Sequence, residues 1–187
     1  MAELHTNLYF KHPNSDVQQH LVALFKTIND TPSPDFDNLL SDLRSNASAI
    51  TPDAGEMRVD ALLQAVKEAY GETHDLVAES RYDIAGYHGM HFVHGSSGDD
   101  IMGGIVQFIG DIAPETDVRA CLAGDDDPWE IFYRYENGRV VMKAYEPDYE
   151  EAEEEELPDV YQWWHAGLPQ DIKDGFINDW LEEGDED

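Results

Sequence analysis

The chain has 187 residues, of which 41 are acidic and 11 are basic, and its formal net charge is −30. A chain of this length can bury about 70% of its unfolded surface, so it needs no disulfide or metal ion in order to fold. The charge excludes a protein that binds nucleic acid or anionic lipid through a basic face. Its field repels phosphate and attracts basic surfaces.

The acidic residues are unevenly distributed. Residues 111–187 hold 25 acidic and 5 basic residues, whereas residues 1–110 hold 16 and 6. Adaptation to high salt normally spreads acidic residues over the whole surface, so this concentration favours a basic partner. High-salt adaptation and simple solubility are kept as alternatives.

The composition also bears on the compartment. Cys121 is the only cysteine, so no internal disulfide can form and a reducing compartment is expected. The first residues lack the basic and apolar segments of a secretory signal, and the apolar stretch Ile101–Ile112 is too short and too polar to cross a membrane. We therefore expect a cytoplasmic protein, with Cys121 as a buried or half-buried thiol rather than a catalytic one.

The first 71 residues are predicted to form one strand and three helices. Alternating apolar residues predict a strand over Leu4–Lys11, and apolar residues at helical spacing predict a helix over Ser15–Asn29. Asn14 or Ser15 is the expected N-cap of this helix. Two further helices are predicted over residues 36–43 and 52–70.

The next segments are predicted to be rich in strands. Leu76–Glu79 and Tyr82–His94 have β-like composition, Ile101–Ile112 has the pattern of a buried helix, and Thr116–Ala123 has the pattern of a strand. Asn137 and Gly138 then separate two alternating segments, residues 129–136 and 139–146. Asn-Gly between such segments predicts a β-hairpin, because both central positions of a type I′ turn need positive φ.

This order of elements predicts an α+β fold, an antiparallel sheet with helices packed on one face, plus a C-terminal helical appendage. We expect one α+β domain over residues 1–146, helix-rich over 1–73 and sheet-rich over 74–146. Residues 147–159 form the expected acidic linker, because a run of like charges repels itself. Residues 160–187 form the expected C-terminal helical segment with its acidic tail.

The large aromatic residues Tyr161, Trp163, Trp164 and Trp180 follow the acidic run. One interpretation is core packing of the terminal helices. The other is an anchor surface for a partner, since Trp and Tyr are enriched at interface hot spots.

Three histidines offer a candidate metal site. His88, His91 and His94 are three residues apart, which on a helix would place them roughly on one face, where they could bind zinc. Glycines in this stretch disfavour a helix, and on a strand His91 points away from the other two. We therefore expect partly exposed strand and loop histidines. A metal-dependent enzyme that uses His88, His91 and His94 is kept as an alternative.

A second candidate cation site is the run Asp125, Asp126 and Asp127, because carboxylates bind hard cations. The run lacks the alternate ligands, central glycine and terminal glutamate of an EF-hand loop. Asp residues also favour turns, so a turn before the next strand is the expected structure.

The strongest functional signal is a set of four acidic clusters: Asp125–Asp127, Asp148–Glu156, Asp171–Asp179 and Glu182–Asp187. In composition the chain resembles the acidic nucleic-acid mimics that mobile elements use against host defence, such as anti-CRISPR and anti-restriction proteins. The resemblance covers chiefly residues 125–187 and rests on the charge, so no residue of such a family can be carried over.

The resemblance implies a non-enzymatic inhibitor that occupies a basic nucleic-acid-binding site of a protein or nucleoprotein complex, with no cofactor and no direct contact to nucleic acid. The alternative from another class is an immunity or antitoxin protein that neutralises a basic toxin. The expected partner-binding residues are Asp125, Asp126, Asp127, Glu150, Glu151, Glu153, Glu154, Glu155, Glu156, Trp163 and Trp164.

Overall fold

The computed structural model describes residues 4–29, 44–50, 60–61, 78–94, 98–124, 130–145 and 159–173. Its strands are β1 (Leu4–Lys11), β2 (Ala78–Ile84), β3 (Tyr87–His94), β4 (Asp117–Gly124), β5 (Glu130–Glu136) and β6 (Arg139–Tyr145). Its helices are α1 (Ser15–Asn29), α2 (Gly98–Ile112) and α3 (Asp159–His165). Residues 44–50 and 170–173 are also helical.

The strands form one sheet in the order β2-β3-β1-β4-β5-β6. Every neighbouring pair is antiparallel. The first strand lies in the interior of the sheet, where Leu8 pairs with Met90 on one side and with Ala120 on the other. The predicted α+β class with an antiparallel sheet is confirmed.

Helix α1 begins where the sequence predicts. The side-chain oxygen Oδ1 of Asn14 accepts hydrogen bonds from the backbone N–H groups of Asp16 at 2.9 Å and Val17 at 3.4 Å. These N–H groups belong to the first turn and have no partner within the helix, so Asn14 is the N-cap.

Two tight turns join neighbouring strands. Asn137 and Gly138 connect β5 to β6 with φ of 53° and 81°, so the predicted hairpin is confirmed. Ala85 and Gly86 connect β2 to β3 with φ of 51° and 84°. The sequence placed the break between two β-like segments near residue 80 instead, because a non-glycine residue such as Ala85 seldom adopts positive φ.

One face of the sheet packs against α1 and α2. The buried side chains of this cluster come from the inward positions of the strands and from the apolar stripes of both helices. They include Leu8, Phe10, Leu21, Leu24, Met90, Met102, Val106, Ile109 and Leu122. Each such side chain stabilises the fold by about 1.5–3 kcal/mol when it is fully buried.

The opposite face of the sheet packs against α3 and the residues that follow it. Its cluster combines Tyr9, Tyr87, Cys121 and Phe132 of the sheet with Tyr161, Trp164, Leu168 and Ile172. The C-terminal helical segment therefore covers a face of the sheet, and Cys121 is buried beneath it as expected.

Several predicted elements fall outside the described residues. These are the helix over residues 36–43, the helix over 52–70 apart from helical residues 60–61, and the end of the last helix beyond residue 173. Within the described part of the chain, no helix combines the length and apolar character needed to cross a membrane.

Candidate functional site

Trp164 fixes α3 to the sheet. Its side chain is fully buried, and its ring lies 6.0 Å from that of Tyr9 and 5.7 Å from that of Phe132. The indole N–H donates to the backbone carbonyl oxygens of Ala120 at 3.0 Å and Tyr133 at 3.2 Å. A buried indole needs such a partner, and here the two strands beneath it provide one. Trp164 thus packs in the core, the first of the two interpretations that the sequence allowed.

A partly buried ion pair lies under the C-terminal end of α3. Arg119 of β4 is only 2% exposed and donates from Nε and Nη2 to the two carboxylate oxygens of Asp117, at 2.8 and 2.9 Å. Its Nη1 donates to the backbone carbonyl oxygen of Trp164. The hydroxyl of Tyr87 donates to Asp117 Oδ2 at 2.6 Å. The three side chains therefore hold one another, and Arg119 also holds the helix end.

The ionisation of these groups follows from that arrangement. Burial acts to raise the pKa of Asp117, but the hydrogen bonds from Arg119 and Tyr87 outweigh it and leave the pKa below its ordinary value. Burial and the hydrogen bond to Asp117 raise the pKa of Tyr87. Asp117 is therefore an anion and Tyr87 a neutral donor at physiological pH.

A second arginine binds the neighbouring carbonyl of α3. Arg134 of β5 donates to the backbone carbonyl oxygen of Trp163 at 2.6 Å, and its Nε lies 3.3 Å from Glu136 Oε1. The indole N–H of Trp163 donates to the same Glu136 oxygen at 3.0 Å. The ammonium of Lys143 lies 4.4 Å from the centroid of the Trp163 ring, within cation–π range. Trp163 is half-buried, so part of it stays accessible.

Arg119 and Arg134 are direct cross-strand partners and both point under α3. The last carbonyls of a helix have no partner within the helix and carry partial negative charge, which a cation complements. Of the five basic residues in 111–187, these two thus point into the molecule. Arg139 and Lys143 are exposed, and Lys173 is half-buried. Each of the two inward cations is matched by a carboxylate, Asp117 or Glu136, so these pairs leave the net outward charge of residues 111–187 unchanged.

The acidic run, residues 146–158, is attached to the fold at two ends that lie close together. Strand β6 ends at Tyr145 and α3 begins at Asp159. The rings of Tyr145 and Tyr161 contact each other edge to face, with centroids 5.5 Å apart. The 13 intervening residues contain eight acidic residues and no basic residue. Their attachment points are thus next to each other, beside the β5–β6 end of the sheet.

Most of the predicted partner-binding residues are not part of the described structure. Asp125, Asp126 and Asp127 and the six glutamates from Glu150 to Glu156 lie outside the described residues. Trp163 and Trp164 are described, and only Trp163 reaches the surface. The partner-binding role of the acidic residues stays a prediction.

The three candidate metal-binding histidines do not come together. His88 shares the α1 face with Phe10, whose ring is 5.4 Å away, and its Nδ1 lies 2.9 Å from Asp83 Oδ1. His88 is only 6% exposed, so the expectation of a partly exposed histidine is wrong at this position, where the imidazole packs against Phe10. His91 lies on the opposite face, as expected for its position on a strand, and contacts His5. The sheet separates the two side chains, so a single site built from all three histidines is excluded. The backbone of His94 ends β3, and its side chain lies outside the described residues.

The role of Arg119 and Arg134 under α3 was not predicted from the sequence. Asp117 with Arg119, and Arg134 with Glu136, each occupy i and i+2 of a strand, so each pair shares one face of the sheet. This spacing of opposite charges within predicted strands was the available signal. It does not reveal that a helix end lies above them.

The chain was compared with protein-family models, with curated proteins and with solved structures, and none of the three comparisons found a match.

Proposed function

We propose that this protein is a non-enzymatic binding protein whose acidic surface occupies the basic nucleic-acid-binding site of another protein or nucleoprotein complex. The observation that carries the proposal is the contact between Tyr145 and Tyr161, which holds both ends of the acidic run at one corner of the molecule. The 13 residues between these two attachment points include eight acidic residues.

Concentrated charge is what such a competitor requires. Duplex DNA carries one negative charge per about 1.7 Å of its axis, and proteins bind it through clusters of Lys and Arg. An evenly charged surface offers too low a density to displace it. A dense cluster of carboxylates on a folded support meets that requirement and also speeds association with a basic surface.

The direction of the arginine side chains supports the same proposal. Arg119 and Arg134 neutralise carbonyl and carboxylate groups beneath α3. Because each arginine is paired with a carboxylate, neither presents an unpaired positive charge to a partner. A surface designed only for solubility would gain nothing from a cluster beside the sheet, since evenly distributed acidic residues serve that purpose equally well.

The experiment is an affinity capture with the full chain at about 50 mM salt, read by mass spectrometry. A variant in which Glu150, Glu151 and Glu153–Glu156 are all replaced by Gln serves as the matched control, because it keeps size and polarity and removes six charges. We expect the wild-type chain alone to capture a nucleic-acid-handling protein. That protein should dissociate by about 200 mM salt and be displaced by added DNA or RNA, as phosphate-type contacts are.

Two results would contradict the proposal. Equal capture by the wild-type chain and the Gln variant would show that the acidic run does not contact the partner. Capture of one basic enzyme that no nucleic acid displaces would instead support the immunity or antitoxin alternative, because that function requires a single toxin as target.

A further inference from the structure

His5 and His91 form a close side-chain pair on the face of the sheet that α3 partly covers. In the pairing of β1 with β3, His5 lies opposite Val93 and His91 lies opposite Asn7, so the two histidines are diagonal neighbours. His5 Nδ1 lies 3.3 Å from His91 Nε2, the ring centroids are 5.5 Å apart and the ring planes differ by 16°. Both side chains are half-buried.

These distances define how the rings meet. The distance between the two nitrogens is shorter than the distance between the two ring centroids by about the sum of two ring radii. Both nitrogens therefore lie close to the line that joins the centroids. The imidazoles therefore meet edge to edge and nearly coplanar, and one ring donates an N–H to the lone pair of the other. Which ring carries the hydrogen depends on the tautomers, which are coupled in such a pair.

The same geometry suits a transition-metal ion. Zinc–imidazole bonds are about 2.0–2.1 Å long, and two ligands at a tetrahedral angle are then about 3.3 Å apart. The observed nitrogen separation equals that value. An ion can replace the bridging hydrogen if that hydrogen moves to the other nitrogen of its own ring. Each ring must also turn so that its lone pair points at the ion.

We propose that His5 and His91 bind one divalent ion of the late first-row metals, with water completing its coordination. Imidazole nitrogens favour Cu²⁺, Ni²⁺ and Zn²⁺ over Mg²⁺ and Ca²⁺, and Cu²⁺ binds most tightly in this series. Within the described residues no group of three or more His, Cys, Asp and Glu side chains converges, so the protein supplies two ligands here. Water reaches the site because both rings are half-buried.

Two properties of the fold favour the site. The ligands stand on adjacent strands in the interior of the sheet, so the backbone fixes their separation before the ion arrives. The net charge of −30 also raises the local concentration of cations around the protein. Bound metal would cross-link β1 to β3 and so stabilise the folded state by an amount that grows with the logarithm of the free ion concentration once this exceeds the dissociation constant.

The test is calorimetric titration of the full chain with Cu²⁺ and with Zn²⁺, in the presence of excess Mg²⁺ to occupy the carboxylates. The variants are His5→Asn and His91→Asn, and His20→Asn on α1 is the matched control. We expect one Cu²⁺ site in the wild-type and His20→Asn chains. Either of the other substitutions should weaken it at least tenfold. The thermal midpoint should rise with Cu²⁺ only in the chains that keep the pair.

Nitrogen couplings in the electron paramagnetic resonance spectrum of the Cu²⁺-loaded wild-type chain give a measurement that needs no variant. Two coordinated imidazoles are expected. A spectrum with oxygen ligands alone would overturn the proposal, and so would Cu²⁺ affinity that is unchanged by both His5→Asn and His91→Asn. Equal loss in His20→Asn would assign the binding to a different site.

Discussion

The guanidinium of Arg119 in β4 donates a hydrogen bond to the backbone carbonyl oxygen of Trp164, 45 residues further along the chain. Through this bond a side chain of the sheet caps the C-terminal end of α3, at the point where Gly167 follows with φ of 79°. A side chain added at Gly167 would lie 3.7 Å from the same guanidinium. A buried cation thus helps to fix the position of α3 in a strongly anionic protein, together with the packing and hydrogen bonds of Trp164.

Replacement of Arg119 by Met should destabilise the protein by about 2–4 kcal/mol. The substitution removes the helix cap and leaves Asp117 without its cation, which is the costly way to break a buried pair. The value lies below the full range for such pairs because Asp117 is about one third exposed. Urea unfolding followed by circular dichroism measures the change.

Two further variants identify the cause of the lower stability of Arg119→Met. Arg119→Met combined with Asp117→Asn should cost less than Arg119→Met alone, because the unpaired anion is gone. Arg139→Met on the exposed edge strand should change stability by no more than about 0.5 kcal/mol. If Arg119→Met and Arg139→Met had equal effects, Arg119 would have no special role in holding α3.

Gly110 of α2 should not tolerate a side chain. A Cβ atom there would lie 2.1 Å from the ring of Tyr135, so Gly110→Ala forces that ring or the helix to move. Overpacking of this kind typically costs about 1–3 kcal/mol. Gly104 is the matched control in the same helix, since a Cβ atom added there would have nothing within 4 Å of it.

Gly104→Ala should therefore stabilise the protein by up to about 1 kcal/mol through helix propensity alone. Chemical unfolding of both variants in parallel with the wild-type chain separates the two effects. Equal changes in the two variants would mean that Tyr135 does not pack against Gly110.

Local signals predicted most elements of the fold because their causes are local. The alternation of Leu4–Lys11, the helical spacing of Ser15–Asn29 and the Asn137-Gly138 turn each depend on a few neighbouring residues, and each is confirmed. The place of β1 between β3 and β4 could not be predicted in this way, because it depends on pairing with strands about 80 to 120 residues away.

The candidate site likewise depends on contacts between residues that are distant in the sequence. The charge asymmetry is a property of composition and could be computed from the sequence. The burial of Arg119, the capping of α3 and the separation of His88 from His91 arise only when distant strands become neighbours. His5 had no local feature to mark it, since its partner lies 86 residues away.

The stability should fall as the pH decreases through the titration of His165. Burial lowers the pKa of His165, and the positive charges of Lys173 and Arg119 add to this effect. In the unfolded chain the group binds a proton near pH 6.5, whereas in the folded protein it does so only at lower pH. Its contribution is therefore present above about pH 6.5 and is lost as the pH falls toward the folded pKa, at no more than about 1.4 kcal/mol per pH unit.

His165→Gln removes this titration, so the difference in unfolding free energy between wild-type and variant chains should change with pH between about 6.5 and the lowered pKa. Asp117 does not interfere, since its folded pKa is lowered and its contribution is lost only at more acidic pH. Urea unfolding at several pH values measures the difference. Parallel curves for the two chains would exclude proton binding by His165 as a cause.

Salt should stabilise the protein without being required for folding. A net charge of −30 makes the folded chain repel itself, and salt screens this repulsion. Raising the ionic strength from about 0.01 to about 1 M shortens the Debye length from about 30 to about 3 Å. We expect a folded circular dichroism spectrum at the lowest salt and a free energy of unfolding that rises with salt. The rise should be smaller in the Gln variant of the acidic run.

The same measurements of unfolding at several salt concentrations distinguish nucleic-acid mimicry from high-salt adaptation. An acidic cluster that competes with nucleic acid must act at moderate ionic strength, because its attraction to a basic partner disappears when salt is high. The core that α1 and α2 form with the sheet, together with the aromatic cluster under α3, should hold the chain folded at moderate ionic strength. A chain that is unfolded at about 0.1 M salt and folds only in molar salt would be adapted to brine, and its acidic run would need no partner.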